Sequence, residues 1–200
     1  MRYMVTHSLL SSWLYAMKDN PYEDMTTERD YGDEFLKVLR REPTETTKAM
    51  QNGIEFENLV TDILNDDGYE HPWYAAAQKV ASMVGGLAQY RAKAETEIDG
   101  IRVLMYGRLD WLRAGVIYDT KFSQSYDRGK YITSTQHPMY FALVPEATEF
   151  VYIISNGTDV WTETYRRDEA ADIREIISCF FSWLKENGLF ELYKEKWVAA

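Results

Sequence analysis

Between Tyr106 and Phe122 the chain carries Arg108, Asp110, Asp119 and Lys121 inside two segments whose apolar residues alternate with a period of two. A two-residue turn at Ala114-Gly115 sets Arg113 opposite Val116, and in the same register Asp110 opposite Asp119 and Arg108 opposite Lys121. Residues two apart share a strand face. One face therefore holds Arg108, Asp110, Asp119 and Lys121, and the other holds Met105, Leu109, Trp111, Tyr118 and Phe122. Carboxylates opposed across a strand pair, with Cβ atoms roughly 5 Å apart, repel each other. A hard divalent cation, magnesium or manganese, relieves that repulsion through oxygen ligation. A lysine beside such a cation holds a phosphate oxygen or orients an attacking water. The same four residues are equally compatible with a solvated sheet face bearing ordinary cross-strand ion pairs.

Two further groups have chemistry-bearing spacing. On a helix expected over Thr47 to Asp66, the apolar stripe is Phe56, Val60, Ile63 and Leu64. Glu57 lies beside that stripe, in line with Gly53, Val60 and Leu64, whereas Glu55 shares an exposed face with Gln51, Asn58 and Asp62. A carboxylate at a buried face needs a cationic or metal partner, or a path to solvent. Gly53 costs the helix about 1 kcal/mol and points to close approach of another group to its backbone. Gln136 and Tyr140 are four apart on a helix expected over Thr135 to Leu143, with Pro138 in its first turn. An amide and a phenol so placed clasp a phosphate or a carboxylate, unless the tyrosine ring simply packs in the core.

The elements that must position these residues follow from the pattern. Helices are expected over Ser8 to Lys18, Arg29 to Arg41, Thr47 to Asp66 and Trp73 to Gln89, with Pro43 and Pro72 between them and Gly68 at a helix end. Strands follow at Ala92 to Ile98, Ile101 to Arg113 and Val116 to Phe122, turning at Asp99-Gly100 and Ala114-Gly115. After the Thr135 helix come strands at Glu149 to Ser155 and Asp159 to Tyr165, then a C-terminal helix from Asp168 broken by Gly188. This order predicts an α+β, or mixed α/β, fold in one domain spanning 1–200: a helical part to residue 90, a sheet-containing core over about 47–166, and a C-terminal helix over 168–198.

Composition bounds the function. No apolar run approaches the roughly 18 residues that span a bilayer, and Met1 to Met17 reads as a helix rather than a leader, so the expected setting is cytoplasmic with no membrane partner. The single cysteine, Cys179, excludes an intramolecular disulfide and a cysteine-ligated iron–sulfur cluster. The net charge of −10 argues against a general nucleic-acid binder, yet Lys79 to Lys130 contains nine basic and six acidic residues, a local excess compatible with one anionic ligand and equally with none.

Taken in order, Gly53-x-x-x-Glu57, Gly107-x-x-Asp110, Asp119-x-Lys121 and Gln136-x-x-x-Tyr140 resemble the motifs of the PD-(D/E)xK nuclease superfamily, in its RecB-type and phage-exonuclease branch. The resemblance covers about Lys48 to Leu143. It departs at Leu109, where the family's proline is absent, and at Pro138, inside the last motif. It implies a restriction-endonuclease-like αβββαβ core. It also implies magnesium or manganese held by Glu57, Asp110 and Asp119, with Lys121 helping to activate water and Gln136 and Tyr140 orienting the lysine or the DNA. The expected activity is metal-dependent hydrolysis of DNA phosphodiester bonds, as an exonuclease of phage or bacterial recombination or repair, with DNA and a recombination or repair protein as partners. Arg108, Arg128 and Lys130 are expected phosphate contacts, and Trp73 and Tyr74 either stack bases or belong to the core. The alternatives are a catalytically inactive module of the same fold that binds nucleic acid or a protein, and a small-molecule-binding α+β protein.

Overall fold

A computed structural model describes residues 1–17, 31–67 and 69–199. The described elements are β1 (Tyr3–Val5), α1 (His7–Ala16), α2 (Tyr31–Arg40), α3 (Lys48–Leu64), α4 (Tyr74–Met83), β2 (Leu87–Ile98), β3 (Ile101–Arg113), β4 (Val116–Phe122), α5 (Gln136–Leu143), β5 (Glu149–Ser155), β6 (Val160–Arg166), α6 (Ile173–Glu186) and α7 (Phe190–Lys196). The fold is α+β, with one mixed sheet in the order β1-β3-β4-β5-β6 and β2 paired to the remaining edge of β3. The order α3-β2-β3-β4-α5-β5 agrees with the expected core, with α4 inserted after its first helix. Lys18, the expected helix start at Arg29, and Gly68 lie outside the described residues.

Helices cover both sides of the sheet. On one side Leu9, Leu10 and Trp13 of α1, Phe35 and Leu39 of α2, residues of α5, and Phe180, Phe181 and Leu184 of α6 pack with Ile117, Phe150, Tyr152 and Ile154. On the other, Phe56, Leu59 and Val60 of α3 and Ala76, Ala77 and Val80 of α4 pack with Trp111 and Ile153. Tyr152, Ile153 and Ile154 alternate between the two sides, the period-two rule applied to a strand buried on both. The single core face expected on β3 and β4 is therefore divided. Met105 and Leu109 join the first cluster, whereas Trp111, Tyr118 and Phe122 join the second. The α3 stripe is also corrected: Leu59 is buried and Leu64 is exposed.

The largest departures from the expected boundaries lie at α4 and β2, at the N-terminus and at the C-terminal helix. α4 stops at Met83 rather than Gln89, and β2 begins at Leu87 rather than Ala92, because Gly85 and Gly86 adopt φ of +143° and +82°. At Gly86 a Cβ would collide with the Leu112 carbonyl oxygen. Residues 3–5, read as part of a helical N-terminus, form β1 parallel to β3, with Tyr3 opposite Val103. Its remaining backbone groups reach far along the chain: the Met4 N–H donates to Trp197 O at 2.7 Å and Ala199 N–H to Arg2 O at 3.0 Å. The C-terminal helix starts at Ile173 under an Asp172 cap, after a 3₁₀ turn at Arg167–Glu169, and Gly188 (φ +68°) divides it into α6 and α7.

The turn that sets the β3–β4 register carries strain. Ala114 sits at φ +49°, ahead of Gly115 at φ +80°, a left-handed pair in which alanine is disfavoured by roughly 1 kcal/mol. Ala114→Asn is expected to stabilise the chain by about 0.5–1 kcal/mol, read as a shift of the urea midpoint at unchanged slope.

Candidate active site

β3 meets two different strands along one edge. Val103 to Met105 pair with β1, and Trp111 to Arg113 pair with β4 in the expected register. The β3–β4 ladder ends at the Trp111–Tyr118 pair, so Asp110 and Asp119 lie just beyond it rather than within it. Side chains take over from the backbone there. Asp110 Oδ2 accepts from the Thr120 N–H at 2.9 Å and from the Thr120 hydroxyl at 3.2 Å. The Tyr140 hydroxyl donates to Arg108 O at 2.9 Å, inserting α5 into the interval between β1 and β4. Gly107 makes that insertion possible: a Cβ would lie 2.5 Å from Tyr140 Cε1 and 2.8 Å from Leu143 Cδ1, inside a packed core. Gly107→Ala is expected to cost about 1–3 kcal/mol of stability by overpacking, measurable in urea, and to displace the Tyr140 ring.

Around this interval the chain assembles four of its ionisable side chains. Asp119 on β4 is buried; Oδ1 accepts from the Gln136 amide at the start of α5, and Lys121 Nζ stands 2.7 Å from Oδ2. Beyond that ion pair Oδ2 has no hydrogen-bond partner among the described residues. Glu57 reaches in from α3, its Oε1 accepting from the Gln89 amide. Burial raises the Glu57 pKa, with Arg108 and the Gln89 bond opposing and the Asp119 charge adding to the rise. Asp110 is pushed up to about 8 by burial and by the charges of Asp119 and Glu57, against the Thr120 N–H and Lys121. Burial works to lower the Lys121 pKa, but Asp119, Asp110 and Glu57 outweigh it and keep the ammonium charged. The structure thus brings Glu57, Asp110, Asp119, Lys121, Gln136 and Tyr140 to one region.

Other expectations fare differently. Gly53 faces open space, with nothing within 4 Å of a Cβ placed there, so no described group approaches its backbone as expected. Glu55 is exposed, as expected, and pairs with His71 at 2.9 Å. Trp73 belongs to the core: its ring lies 4.3 Å from Phe122, and it packs where Gly157 has no side chain. The three expected phosphate contacts separate. Arg108 is exposed beside Glu57, and Lys130 lines a cleft with Lys121, but Arg128 lines a different groove with Tyr126 and Trp161.

Three residues of the region carry no motif. His7, at the first position of α1, stands edge-on to Tyr140 at 5.6 Å; burial and then the Lys121 charge lower its pKa to about 4. Gln89 holds Glu57 from a left-handed conformation, φ +51°, inside β2. Glu163 accepts from the Tyr126 hydroxyl at 2.6 Å, the N–H groups of Gly129 and Tyr131, and the Tyr165 hydroxyl, which pins the loop between β4 and α5. Only Glu163 had a sequence signal, an acid on an alternate position of a strand.

The donor chemistry here is that of a hard divalent cation: three carboxylates, two with raised pKa values, and a buried oxygen engaged only by an ammonium among the described residues. Among the described residues, however, no three carboxylate, imidazole or thiolate groups are grouped closely enough to chelate an ion as they stand. The sequence matches no protein-family profile and no curated relative. The fold is similar to the crystal structure of SSO0001, with a TM-score of 0.55 at 13% identity over 94% of this chain and 78% of that one. At that identity the likeness concerns the fold.

Proposed function

We propose that this chain is a divalent-metal-dependent DNA nuclease of the PD-(D/E)xK type, acting as an exonuclease in phage or bacterial recombination or repair. The observation that carries the reading is the end of the β3–β4 ladder. There Glu57, Asp110 and Asp119, from three different elements, share one electrostatic environment with Lys121, and the buried Asp119 Oδ2 has no partner besides the Lys121 ammonium among the described residues. Glu57, Asp110 and Asp119 are the residues that would hold magnesium or manganese. When bound, the ion supplies Lewis acidity toward the scissile phosphate and a bound water of lowered pKa. Lys121, kept charged by three carboxylates, stabilises negative charge developing on the phosphoryl oxygens. Gln136 fixes the Asp119 rotamer through Oδ1, and Tyr140 holds the β3 backbone at Arg108. Arg108, exposed beside Glu57, neutralises the incoming phosphate backbone.

The test is a manganese titration by calorimetry, with and without a non-hydrolysable phosphorothioate oligonucleotide, alongside cleavage of linear, nicked and single-stranded DNA. Saturable binding with metal-dependent cleavage supports the reading. A specific observation favours the second one, a catalytically inactive nuclease-fold module that binds nucleic acid or a protein: the three carboxylates are not grouped as a chelate. DNA binding without turnover in manganese selects it.

A further inference from the structure

A cleft of about 530 Å³ opens between α1 and the loop joining β4 to α5, within the usual range of small-ligand sites. Its lining includes His7 and Tyr15 of α1, then Lys121, Lys130, Tyr131 and Ser134. Tyr131 is a prepared platform. Its ring is stacked on the fully buried Tyr152, with centroids 4.4 Å apart and planes 17° apart. Tyr152 is itself fixed against Phe150 at 4.6 Å, and its hydroxyl donates to Ser134 Oγ at 3.1 Å. The Tyr131 N–H is tied to Glu163 on β6, so neither ring nor backbone must be ordered when a ligand arrives. Tyr131 is nonetheless only half-buried, and the part of it not covered by Tyr152 borders the cleft. Lys130 Nζ lies over the Tyr131 ring, 5.9 Å from its centroid, and donates to Ser123 Oγ at 3.1 Å, so an arriving base shares that ring with the ammonium. Lys121, the lysine paired with Asp119, also lines the cleft.

An aromatic platform supported from behind, flanked by two ammonium groups and hydroxyls, matches one chemistry: a planar base joined to a phosphate. We infer that this cleft seats one unpaired nucleotide of the strand being cut, its base extending the Tyr152–Tyr131 stack, Tyr15 bordering it, and its phosphate at Lys130. The inference rests on the nuclease reading for the word "cut", and it deepens that reading by naming the substrate class. A seat sized for one nucleotide, adjoining the lysine beside Asp119, takes a single-stranded or frayed end and not a base pair. Stacking of this kind tolerates any base, so little sequence preference is expected.

The test separates the seat from the chemistry. Saturation-transfer NMR with millimolar 5′-dAMP, without metal, is run on wild type, Tyr131→Leu, Tyr131→Phe and Lys130→Ala, each checked for an unchanged melting profile. The adenine protons should receive saturation from wild type and from Tyr131→Phe, with apparent affinity about fivefold or more weaker in Tyr131→Leu. Lys130→Ala should weaken dAMP but leave the adenosine nucleoside unaffected. No transfer in wild type, or equal affinity in Tyr131→Leu and wild type, overturns the seat even if DNA is cleaved. In parallel, an end-labelled single strand is digested in manganese by wild type and Tyr131→Leu. A raised KM in Tyr131→Leu at similar kcat supports the seat, and an unchanged KM overturns it. Failure of wild type to cut overturns the nuclease reading alone, and the dAMP experiment then decides the cleft by itself.

Discussion

Asp119→Asn should reduce cleavage of linear DNA in manganese by about a thousandfold or more while the chain melts within a few degrees of wild type, on the scale of losing a group that acts on transition-state charge. Asparagine is the right replacement because Asp119 is buried between two donors. Alanine would leave the Gln136 amide and the Lys121 ammonium without an acceptor, and a buried unpaired charge costs enough to blur a catalytic loss with an unfolded one. Asparagine keeps the volume, offers its carbonyl to Gln136, leaves Lys121 to the Asp110 and Glu57 charges, and removes the negative charge that most strongly favours a charged Lys121 after burial is set against it. The variant therefore loses both an ion ligand and part of what keeps the lysine protonated. Manganese binding measured by calorimetry should fall with activity. Cleavage that persists near the wild-type rate would remove Asp119 from the chemistry and with it the assignment of Lys121.

The residues of that prediction were legible in the sequence because their geometry is local. A two-residue turn fixes the register of the strands it joins, and Arg113 does face Val116. Gln136 and Tyr140 share a helix turn, and the first turn of α5 accommodates Pro138, as expected of a missing N–H at that place. What the turn could not convey is where the ladder stops. Pairing beyond Trp111 and Tyr118 is replaced by bonds from Thr120 to the Asp110 carboxylate, a side-chain substitution invisible to a period-two pattern. β1 was hidden for a different reason. Three residues have no periodicity, and their partners, Val103 to Met105 and Trp197, lie about one hundred to two hundred positions away. His7 and Gln89 are similarly placed by tertiary contacts. The basic residues between Lys79 and Lys130 serve one ligand only where they converge, and the fold sends Arg128 to a separate groove, since charge counted along the chain says nothing about which side of a loop a side chain leaves from.

Without metal, the protein should lose stability as pH rises from about 7.5 to 8.5, and Asp110→Asn should remove most of that slope. Burial, then the charges of Asp119 and Glu57, lift the Asp110 pKa to about 8, far above the value near 4 of an unfolded chain. The folded state therefore binds this proton more tightly than the unfolded one. Its stabilising effect is complete below pH of about 4 and disappears as pH climbs through about 8, at a rate approaching 1.4 kcal/mol per pH unit for one proton. Glu57, also raised, acts with the same sign. His7 and His137 act oppositely but lower: both are depressed to about 4, first by burial, so they favour folding as pH rises from about 4 and their contribution fades within about one unit above 6.5. The interval from about 7.5 to 8.5 separates the carboxylates from these two histidines, and urea midpoints across it measure the carboxylates. Manganese competes with the proton for the same oxygens, so adding it should flatten the wild-type slope and leave Asp110→Asn little changed. Equal slopes in wild type and Asp110→Asn would mean that Asp110 is ionised without a counter-ion at neutral pH. Three carboxylates within mutual range would then need no cation to balance them, and the physical argument for a metal at this site would fail.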